Sequence, residues 1–491
     1  MSNVKEVFDS ATEAGETCSV CWYGQVFGYI NVTQDDVRWA GYVSDDVEEL
    51  FNETFPIRED GMPHFIANIG PESIIFNIIG DGNRRDYIEG GLRFLSNLTI
   101  SPAGPHDKPV ALDCLQGSLD EFTAEDGFFT GDLKCKIPKS FDEEKLGEEV
   151  SEYWTNRHLP RFSGAEIKMP VTLDEDGGLT LANSTSFTHI LKFPNDGRKA
   201  GWGLNEWMCM ELSAAAGLPT ASHALVDLGD GIPPAYLVER FDINDTPESI
   251  ESAPLSLKDA FTEASHAPET PESRLLLQDF CTLAGLDPHQ FGGKTNGSME
   301  KIAKTVGEYS TNPDSDLENL YKRTIVSWAV NDSDMHRKNI SMMFEFDPQN
   351  AVKSCEMTPA YDITSEVHQY DDKHDMCISL SGKRRNLNQK AFVKFGTTIG
   401  LTQERAEEIL NDTVKAMSQR AVEISNSLSD DIRNDPMCAY TADRITSFVV
   451  GKAKRLGIQT PEWDDVKRDK SLSDDPGNNG RGIGARGYGL S

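Results

Sequence analysis

The sequence predicts an α+β fold in which a strand-rich lobe precedes a predominantly helical lobe, with a smaller α+β unit in front of both. Two patterns indicate this order. Alternating apolar residues bounded by turn residues recur as far as residue 242, as in Tyr23–Val32. Beyond that point apolar residues recur mostly at helical spacing. A chain of 491 residues is also too long for one ordinary hydrophobic core.

Composition divides the chain into four parts. The α+β unit is expected over residues 1–120, the strand-rich lobe over 121–242 and the helical lobe over 243–465. Residues 466–491 contain mostly Gly, Asp, Asn, Ser and Arg. Because this segment has too few apolar residues to offset the entropy of ordering, we expect a disordered tail.

The strand-rich lobe is expected to begin with a hairpin, in which Met169–Leu173 and Leu179–Ala182 flank an Asp-Gly-Gly turn. Thr188–Phe193 has the pattern of a further strand. The apolar spacing of Asn205–Ala216 predicts a helix that ends before Gly217 and Pro219. Tyr236–Asp242 is expected to be the last strand of this lobe.

The helical lobe is expected to contain four helices and one strand-like segment, Ser341–Phe346. The apolar periodicity places the helices at Arg274–Ala284, Leu317–Val330, Gln389–Ile399 and Gln403–Leu428.

Charge and composition exclude several classes of function. With 47 Lys plus Arg against 80 Asp plus Glu, the net charge of −33 disfavours direct, large-area binding to nucleic acid or to an anionic membrane. The start of the chain lacks a secretory signal and no window of about 20 residues is apolar throughout, so a cytoplasmic protein is expected. The nine cysteines, including the Cys18-x-x-Cys21 pair, are expected to be reduced thiols and not a metal site.

A polar run, Asn331–Ser341, interrupts the helical pattern directly after an apolar segment. Such a cluster is costly to bury unless it has a function. Within it Asp334 and Asn339 stand five residues apart, the interval between Asp and Asn in the catalytic loop of kinases. In that loop the Asp orients the substrate hydroxyl and accepts its proton, while the Asn holds Mg²⁺.

A second acidic position strengthens this interpretation. Asp362, in Tyr361-Asp-Ile, follows the polar run after a strand-like segment and a turn. In a kinase an Asp at this point binds the Mg²⁺ ion that neutralises charge on the transferring phosphoryl group. His336 lies two residues after Asp334 and is expected to donate to the γ-phosphate. The predicted metal ligands are therefore Asn339 and Asp362.

Upstream residues supply the other parts of a nucleotide site. A kinase needs a strand lysine paired with a helix glutamate, and Lys192 and Glu206 stand in the required order. The turn before the first strand of the lobe can direct backbone N–H groups at phosphate, and the end of its last strand can meet adenine and ribose. The residues expected to bind the nucleotide are Ser163, Gly164, Ala165, Lys168, Lys192, Glu206, Glu239, Phe241, Asp242 and His336.

Taken together, these motifs resemble the HipA-type serine/threonine kinases, the toxin halves of bacterial toxin–antitoxin pairs. The motifs that carry the resemblance are Ser163–Lys168, Thr188–Lys192, Asn205-Glu206, Val238–Asp242, Asp334–Asn339 and Tyr361–Ile363. The resemblance implies a two-lobed protein-kinase-like fold and phosphoryl transfer with ATP and Mg²⁺. It also adds Lys338 to the catalytic residues Asp334 and His336.

The resemblance further implies biological partners. The phosphorylated target would be a protein such as an aminoacyl-tRNA synthetase. The antitoxin would be a small helix-turn-helix protein of the HipB type, through which the kinase would contact DNA. Family members autophosphorylate a serine beside the glycine loop, and Ser163 is the candidate. Two residues depart from the family pattern, since Glu166 replaces the usual Gln and Arg161 occupies a position of the regulatory serine.

Two other functions fit the same residues. A lipid or small-molecule kinase would use the same phosphate chemistry, although a net charge of −33 without a basic amphipathic helix argues against a lipid substrate. A kinase-like binding module would hold a partner without transferring phosphate. Transfer of phosphate from ATP to protein, to lipid or to neither separates the three.

Overall fold

The computed structural model describes residues 16–22, 25–32, 37–68, 98–102, 168–173, 179–181, 189–192, 201–226, 234–242, 274–288, 292–347, 351–367 and 376–463. Several predictions fall outside these residues. They concern the loop residues Ser163, Gly164 and Ala165, the neighbouring Arg161 and Glu166, and the tail at 466–491. The expected boundary near residue 120 also lies outside.

The N-terminal unit contains an antiparallel sheet with the strand order β3-β2-β1-β4. Its strands are β1 (Glu16–Trp22), β2 (Gln25–Val32), β3 (Val37–Tyr42) and β4 (Leu98–Pro102). Two helices follow β3, namely α1 (Asp45–Thr54) and α2 (His64–Ala67). The Ser44 side chain caps α1 by accepting a hydrogen bond from Val47 N. The rings of Phe27, Phe51 and Phe65 pack against one another and join sheet and helices.

The strand-rich lobe is a five-stranded antiparallel sheet with the order β6-β5-β7-β9-β8. Its strands are β5 (Lys168–Leu173), β6 (Leu179–Leu181), β7 (His189–Lys192), β8 (His223–Val226) and β9 (Ala235–Glu239). The predicted hairpin is thus confirmed as β5 and β6. Strand β7 lies in the middle of the sheet, so its last residue, Lys192, is held by neighbours on both sides.

Helix α3 (Trp202–Ala215) packs against β8 and β9 and begins three residues before the predicted start. Gly203 permits this approach, because a Cβ atom at this position would collide with the carbonyl oxygen of Pro234. Gly217 follows the end of the helix, and its φ of +70° is accessible to glycine without strain. The tight seating of the helix on the sheet fixes Glu206 relative to β7.

One predicted helix was wrong. Residues Arg274–Asp279 form strand β10, and only the short α4 (Phe280–Leu283) is helical. Strand β10 pairs with β11 (Ser341–Phe346), which pairs in turn with β12 (Val352–Met357). The run Leu275–Leu277 has no period that separates strand from helix. Pairing with β11 decides the conformation, because it satisfies the backbone groups of both segments.

The remaining helices form the core of the second lobe. Two of them are close to their predicted bounds, and the Trp328 and Phe392 rings, 4.9 Å apart, join two of the group. None of the helices in the described part of the chain is both long and apolar enough to cross a membrane. These helices are α5 (Met299–Tyr309), α6 (Pro313–Val330), α7 (Gln389–Thr398), α8 (Gln403–Ser427), α9 (Asp430–Asn434) and α10 (Pro436–Arg455).

The N-terminal unit packs on the helical lobe through aromatic rings. Phe51 stacks on Phe346 with a centroid distance of 6.2 Å, and Phe55 meets Phe344 edge-on at 5.0 Å. All four rings are at most 3% exposed. Since Phe344 and Phe346 belong to β11, the unit covers the strand that directly follows the polar run singled out by sequence.

Replacing Phe346 by Ala is expected to lower the free energy of unfolding by about 3–5 kcal/mol, because it leaves a cavity under the stacked Phe51 ring. Val352→Ala serves as the control, since Val352 is 40% exposed on β12. That variant should change stability by less than about 0.5 kcal/mol. Guanidinium unfolding measures both. Equal midpoints for the two variants would contradict the packing described.

Candidate active site

Lys192 at the end of β7 is bound between two carboxylates from different parts of the chain. Its Nζ donates to Glu206 Oε1 at 2.6 Å and to Asp362 Oδ1 at 2.8 Å. The Lys192 and Glu206 side chains are 10% and 2% exposed, whereas that of Asp362 is 30% exposed. The pairing predicted from sequence order is therefore present in the structure. Asp362 is therefore the most solvent-accessible of the three side chains.

The environment of Asp362 favours its ionised form. Burial by itself raises the pKa of this carboxyl, but Lys192 lowers it, and Lys168 and His336 add to the effect. The resulting pKa lies well below the ordinary range. The backbone at Asp362 is left-handed, with φ at +53°. A non-glycine residue holds this conformation at a cost of order 1–3 kcal/mol, which neighbouring contacts must offset.

The segment after Asp362 is clamped to helix α3 by Asn205. Its Nδ2 donates to Ser365 O and its Oδ1 accepts from Ser365 N, both at 2.7 Å. Ser365 Oγ also donates to Val330 O at the end of α6. Asn205 precedes Glu206, so one pair of hydrogen bonds fixes both carboxylates that bind Lys192 relative to each other.

Hydrogen bonds hold the backbone of Asp334 on both sides. Its N–H donates to Asp332 Oδ1 at 3.1 Å, and its carbonyl accepts from Asn339 Nδ2 at 3.0 Å and from His336 N at 2.6 Å. The side chain itself is 62% exposed. A substrate hydroxyl can therefore reach the Asp334 carboxylate while the main chain stays fixed.

His336 and Asn339 both lie close to Asp334. His336 Nε2 is 3.8 Å from Asp334 Oδ1, and His336 also interacts electrostatically with Asp362. Because the amide nitrogen of Asn339 donates to Asp334 O, its amide oxygen is the atom able to ligate a cation. Both predicted metal ligands carry side-chain oxygen atoms, the donor type that Mg²⁺ prefers, and their role as ligands stays a prediction.

Two buried ionisable residues, Asp332 and Arg323, contact the segments that carry Asp334 and Asp362. Asp332 is 0% exposed and accepts from Ser327 Oγ at 3.1 Å, while Arg323 is 3% exposed. Arg323 Nη2 donates to Tyr361 O at 3.0 Å. Burial raises the pKa of Asp332 to about 7, although the positive charge of Arg323 opposes the rise.

The end of β9 carries the residues that the sequence predicts to form a hinge between the lobes. The ring of Phe241 lies 5.9 Å from the ring of Tyr361, the residue that precedes Asp362. The carboxylate of Asp242 accepts two hydrogen bonds from Arg240, each at 2.9 Å. Glu239 is exposed. The roles of these residues towards adenine and ribose stay predictions.

Two further lysines differ in their surroundings. Lys168 is paired in register with Lys192 across β5 and β7, and its charge acts on Asp362. Lys338 instead donates to Asp279 Oδ2 at 3.0 Å and to Asn68 O at 3.3 Å. Lys168 therefore lies near Asp362 in the candidate site. Lys338 instead contacts residues of β10 and of the N-terminal unit. Its catalytic role stays a prediction.

Sequence reasoning missed several residues that position this centre. Arg323 and Asp332 could have been found as charged residues in or next to the most apolar part of a helix, where an unsatisfied charge is costly. Ser365 carries no such signal, because a serine in a loop is unremarkable. Asn205 was noticed only as part of a motif, and its contact with Ser365 spans 160 residues.

The fold and this arrangement define the class of protein. A strand-rich lobe with a Lys–Glu pair and a helical lobe that carries Asp334, Asn339 and Asp362 form a two-lobed, protein-kinase-like α+β fold. The family model described as HipA-like C-terminal domain matches residues 161–421, more than half of the chain. The chain belongs to this family.

Known proteins agree with the assignment. A chain of the solved Shewanella oneidensis MR-1 complex of the toxin–antitoxin system HipA, HipB and its operator DNA shares the fold, with a TM-score of 0.55 at 16% identity. The match covers 90% of this chain and 98% of that one.

Two proteins of Sinorhizobium fredii (strain NBRC 101917 / NGR234) are similar in sequence. "Putative kinase Y4mE" is 26% identical over 60% of this chain and 64% of its own length. "Putative kinase Y4dM" is 24% identical over 58% of this chain and 63% of its own length. The chain thus spans less than two thirds of each of these relatives.

Asp332 is expected to make stability depend on pH. Its pKa rises from the ordinary 3.8 to about 7 on folding, so the folded protein binds this proton more tightly than the unfolded chain does. The stabilisation that the folded protein gains from this tighter proton binding is therefore complete below pH 3.8. It is lost as the pH rises to about 7. Asp332→Asn cannot ionise, so this variant should gain stability relative to wild type by about 1.4 kcal/mol per pH unit within that window.

Chemical unfolding at pH 5, 6, 7 and 8 measures the difference between Asp332→Asn and wild type. Asp412→Asn makes the same substitution on the exposed face of α8 and should keep the wild-type dependence. A difference between Asp332→Asn and wild type that does not change with pH would refute the raised pKa.

Proposed function

We propose that this protein is an ATP- and Mg²⁺-dependent serine/threonine protein kinase. The observation that carries the proposal is the ion-paired array of Lys192, Glu206 and Asp362, together with the exposed carboxylate of Asp334. Kinases use a strand lysine held by a helix glutamate, a metal-binding aspartate and a catalytic aspartate. All four residue types stand here in the order and on the elements that this chemistry needs.

The charge of the array supports binding of a metal–nucleotide complex. One ammonium lies between two carboxylates, so the three groups carry a net charge of −1 when ionised. The 30% exposed Asp362 and the amide oxygen of Asn339 would hold Mg²⁺. When bound, Mg²⁺ neutralises charge on the β- and γ-phosphates and orients them. Lys192 and Lys168 would bind phosphate oxygens from the side of the sheet.

In the proposed reaction, Asp334 orients the substrate hydroxyl and accepts its proton. The three hydrogen bonds to its main chain keep the carboxylate in place before the substrate arrives, which reduces the reorganisation needed in the transition state. His336 would donate to the γ-phosphate oxygens, since its Nε2 is 3.8 Å from Asp334 Oδ1 and its charge acts on Asp362.

The finer biological role is proposed from the family. The substrate would be a serine or threonine of a protein, with a translation component such as an aminoacyl-tRNA synthetase as the first candidate. A HipB-like antitoxin would be the partner that contacts DNA, in line with the net charge of −33. Autophosphorylation at Ser163 and a cytoplasmic location stay predictions from sequence.

Asp334→Asn is expected to lower phosphoryl transfer by roughly 10²–10⁴-fold, because the variant keeps the shape of the side chain but cannot accept a proton. Nucleotide affinity should change little, since the groups proposed to bind Mg²⁺ and phosphate remain. Transfer of labelled phosphate to the protein itself and to proteins of a cell extract measures activity, and calorimetry with Mg²⁺–ATP measures binding. Asp314→Asn on the exposed start of α6 is the control. Undiminished transfer in Asp334→Asn would refute the assignment.

Asp362→Asn is expected to weaken binding of Mg²⁺–ATP at least about tenfold, because it removes a carboxylate ligand of the metal. Binding of ATP in EDTA should be affected much less, which separates loss of the metal ligand from general damage. If the variant and wild type bound Mg²⁺–ATP equally well, the proposed metal role of Asp362 would be wrong.

The transfer assay with wild type also separates the alternative functions. Phosphate found on lipid instead of protein would favour the lipid kinase, and phosphate on neither would favour the binding module.

A further inference from the structure

Behind the catalytic loop, four residues close a ring of hydrogen bonds. Lys338 Nζ donates to Asp279 Oδ2 at 3.0 Å and to Asn68 O at 3.3 Å. Asp279 Oδ1 accepts from Thr282 N at 2.9 Å, and Thr282 Oγ1 accepts from Asn68 Nδ2 at 3.1 Å. The ring therefore joins the loop, the start of helix α4 and the last described residue of the N-terminal helical segment.

This ring is shielded from solvent. Asn68 and Thr282 are 5% and 2% exposed, and the side chains of Lys338 and Asp279 are 13% and 15% exposed. Asn68 Nδ2 also donates to Leu286 O at 3.1 Å. Hydrogen bonds to charged groups are stronger than neutral ones, and a buried group that loses its partner is costly. Asn68 therefore has one well-defined position on the helical lobe.

Lys338 connects the ring to the catalytic centre. It belongs to the 3₁₀ turn Arg337–Asn339, next to the residue whose amide holds Asp334. Its carbonyl accepts from the Tyr361 hydroxyl at 3.0 Å, and Tyr361 precedes Asp362. A shift of Lys338 would thus move both the catalytic loop and the segment that carries Asp362.

We propose that Asn68 is a positioning residue through which the docked N-terminal unit holds the catalytic loop in its active geometry. Lys338 then acts through Asp279 and Asn68 and does not itself contact the nucleotide. The aromatic contacts of Phe51 and Phe55 with β11 seat the unit, and Asn68 transmits this docking to the loop. The inference rests on the proposed kinase function, and it assigns the N-terminal unit a part in catalysis.

The first test compares Asn68→Ala with Asn52→Ala in the full chain. Asn52 lies in the same unit, but its amide donates to Glu48 on the exposed side of α1. Asn68→Ala should lower kcat about tenfold, because a small misplacement of catalytic groups is enough to slow transfer. Its KM for Mg²⁺–ATP should stay within about twofold, since the nucleotide ligands are not in the ring. Asn52→Ala should leave both constants unchanged.

Lys338 provides a second comparison. Lys338→Arg can still donate to the Asp279 carboxylate and to the Asn68 carbonyl, so it should retain most of kcat. Lys338→Met loses these donors and should lower kcat about as much as Asn68→Ala, with little further loss in the double variant, because both changes break the same ring. Independent, multiplying losses in the double variant would overturn the proposal.

Hydrogen exchange tests the geometry without relying on activity. Amides of residues 334–341 should exchange faster in Asn68→Ala than in wild type, while those of the central part of α8 stay protected. Unchanged exchange at 334–341 would overturn the proposal even if kcat fell. If wild type transfers no phosphate, the kinase function fails, yet the exchange result still decides whether Asn68 positions the loop. If Asn68→Ala does not fold, Thr282→Val, which removes only the hydroxyl acceptor, takes its place with the same outcomes.

Discussion

Lys192 shares its ammonium with Glu206 and Asp362, and the rest of the site is arranged around this contact. The three groups come from a strand of the first lobe, the helix behind it and a loop of the second lobe. Ionised groups are costly to remove from water unless they are paired with good geometry. The packing of α3 on the sheet and the clamp between Asn205 and Ser365 supply that geometry. The ion pair between Lys192 of the first lobe and Asp362 of the second therefore helps to fix the relative position of the two lobes.

The second lobe prepares its own part of the site in a similar way. Asp334 is exposed, but its main chain is held by Asp332, His336 and Asn339. Behind it, Arg323 donates to the carbonyl of Tyr361, next to Asp362. Fixed main-chain positions around a reachable carboxylate are what preorganised catalysis needs. The left-handed backbone at Asp362 is maintained by these surroundings, since the residue would not adopt it readily alone.

The N-terminal unit belongs to this framework. Its aromatic residues cover β11, and Asn68 contacts Thr282 at the start of α4 and Lys338 in the loop after α6. Burial of four large rings stabilises the contact between the N-terminal unit and β11, while the hydrogen bonds of Asn68 fix the orientation of the unit on the helical lobe. A unit attached in this manner contacts the loop that carries Asp334 and leaves the Asp334 side chain exposed.

The sequence by itself determined the order of the strand-rich and helical lobes, the hairpin of β5 and β6, and the residue types of the motifs that form the candidate site. These features are local or depend on order along the chain, so periodicity and spacing reveal them. Only the tertiary structure decided that Leu275–Leu277 is a strand, because its partner β11 lies more than 60 residues away. It also decided which residues support the site. The contacts of Asn205 with Ser365 and of Asn68 with Thr282 join residues 160 and 214 positions apart, and no local pattern encodes such pairs.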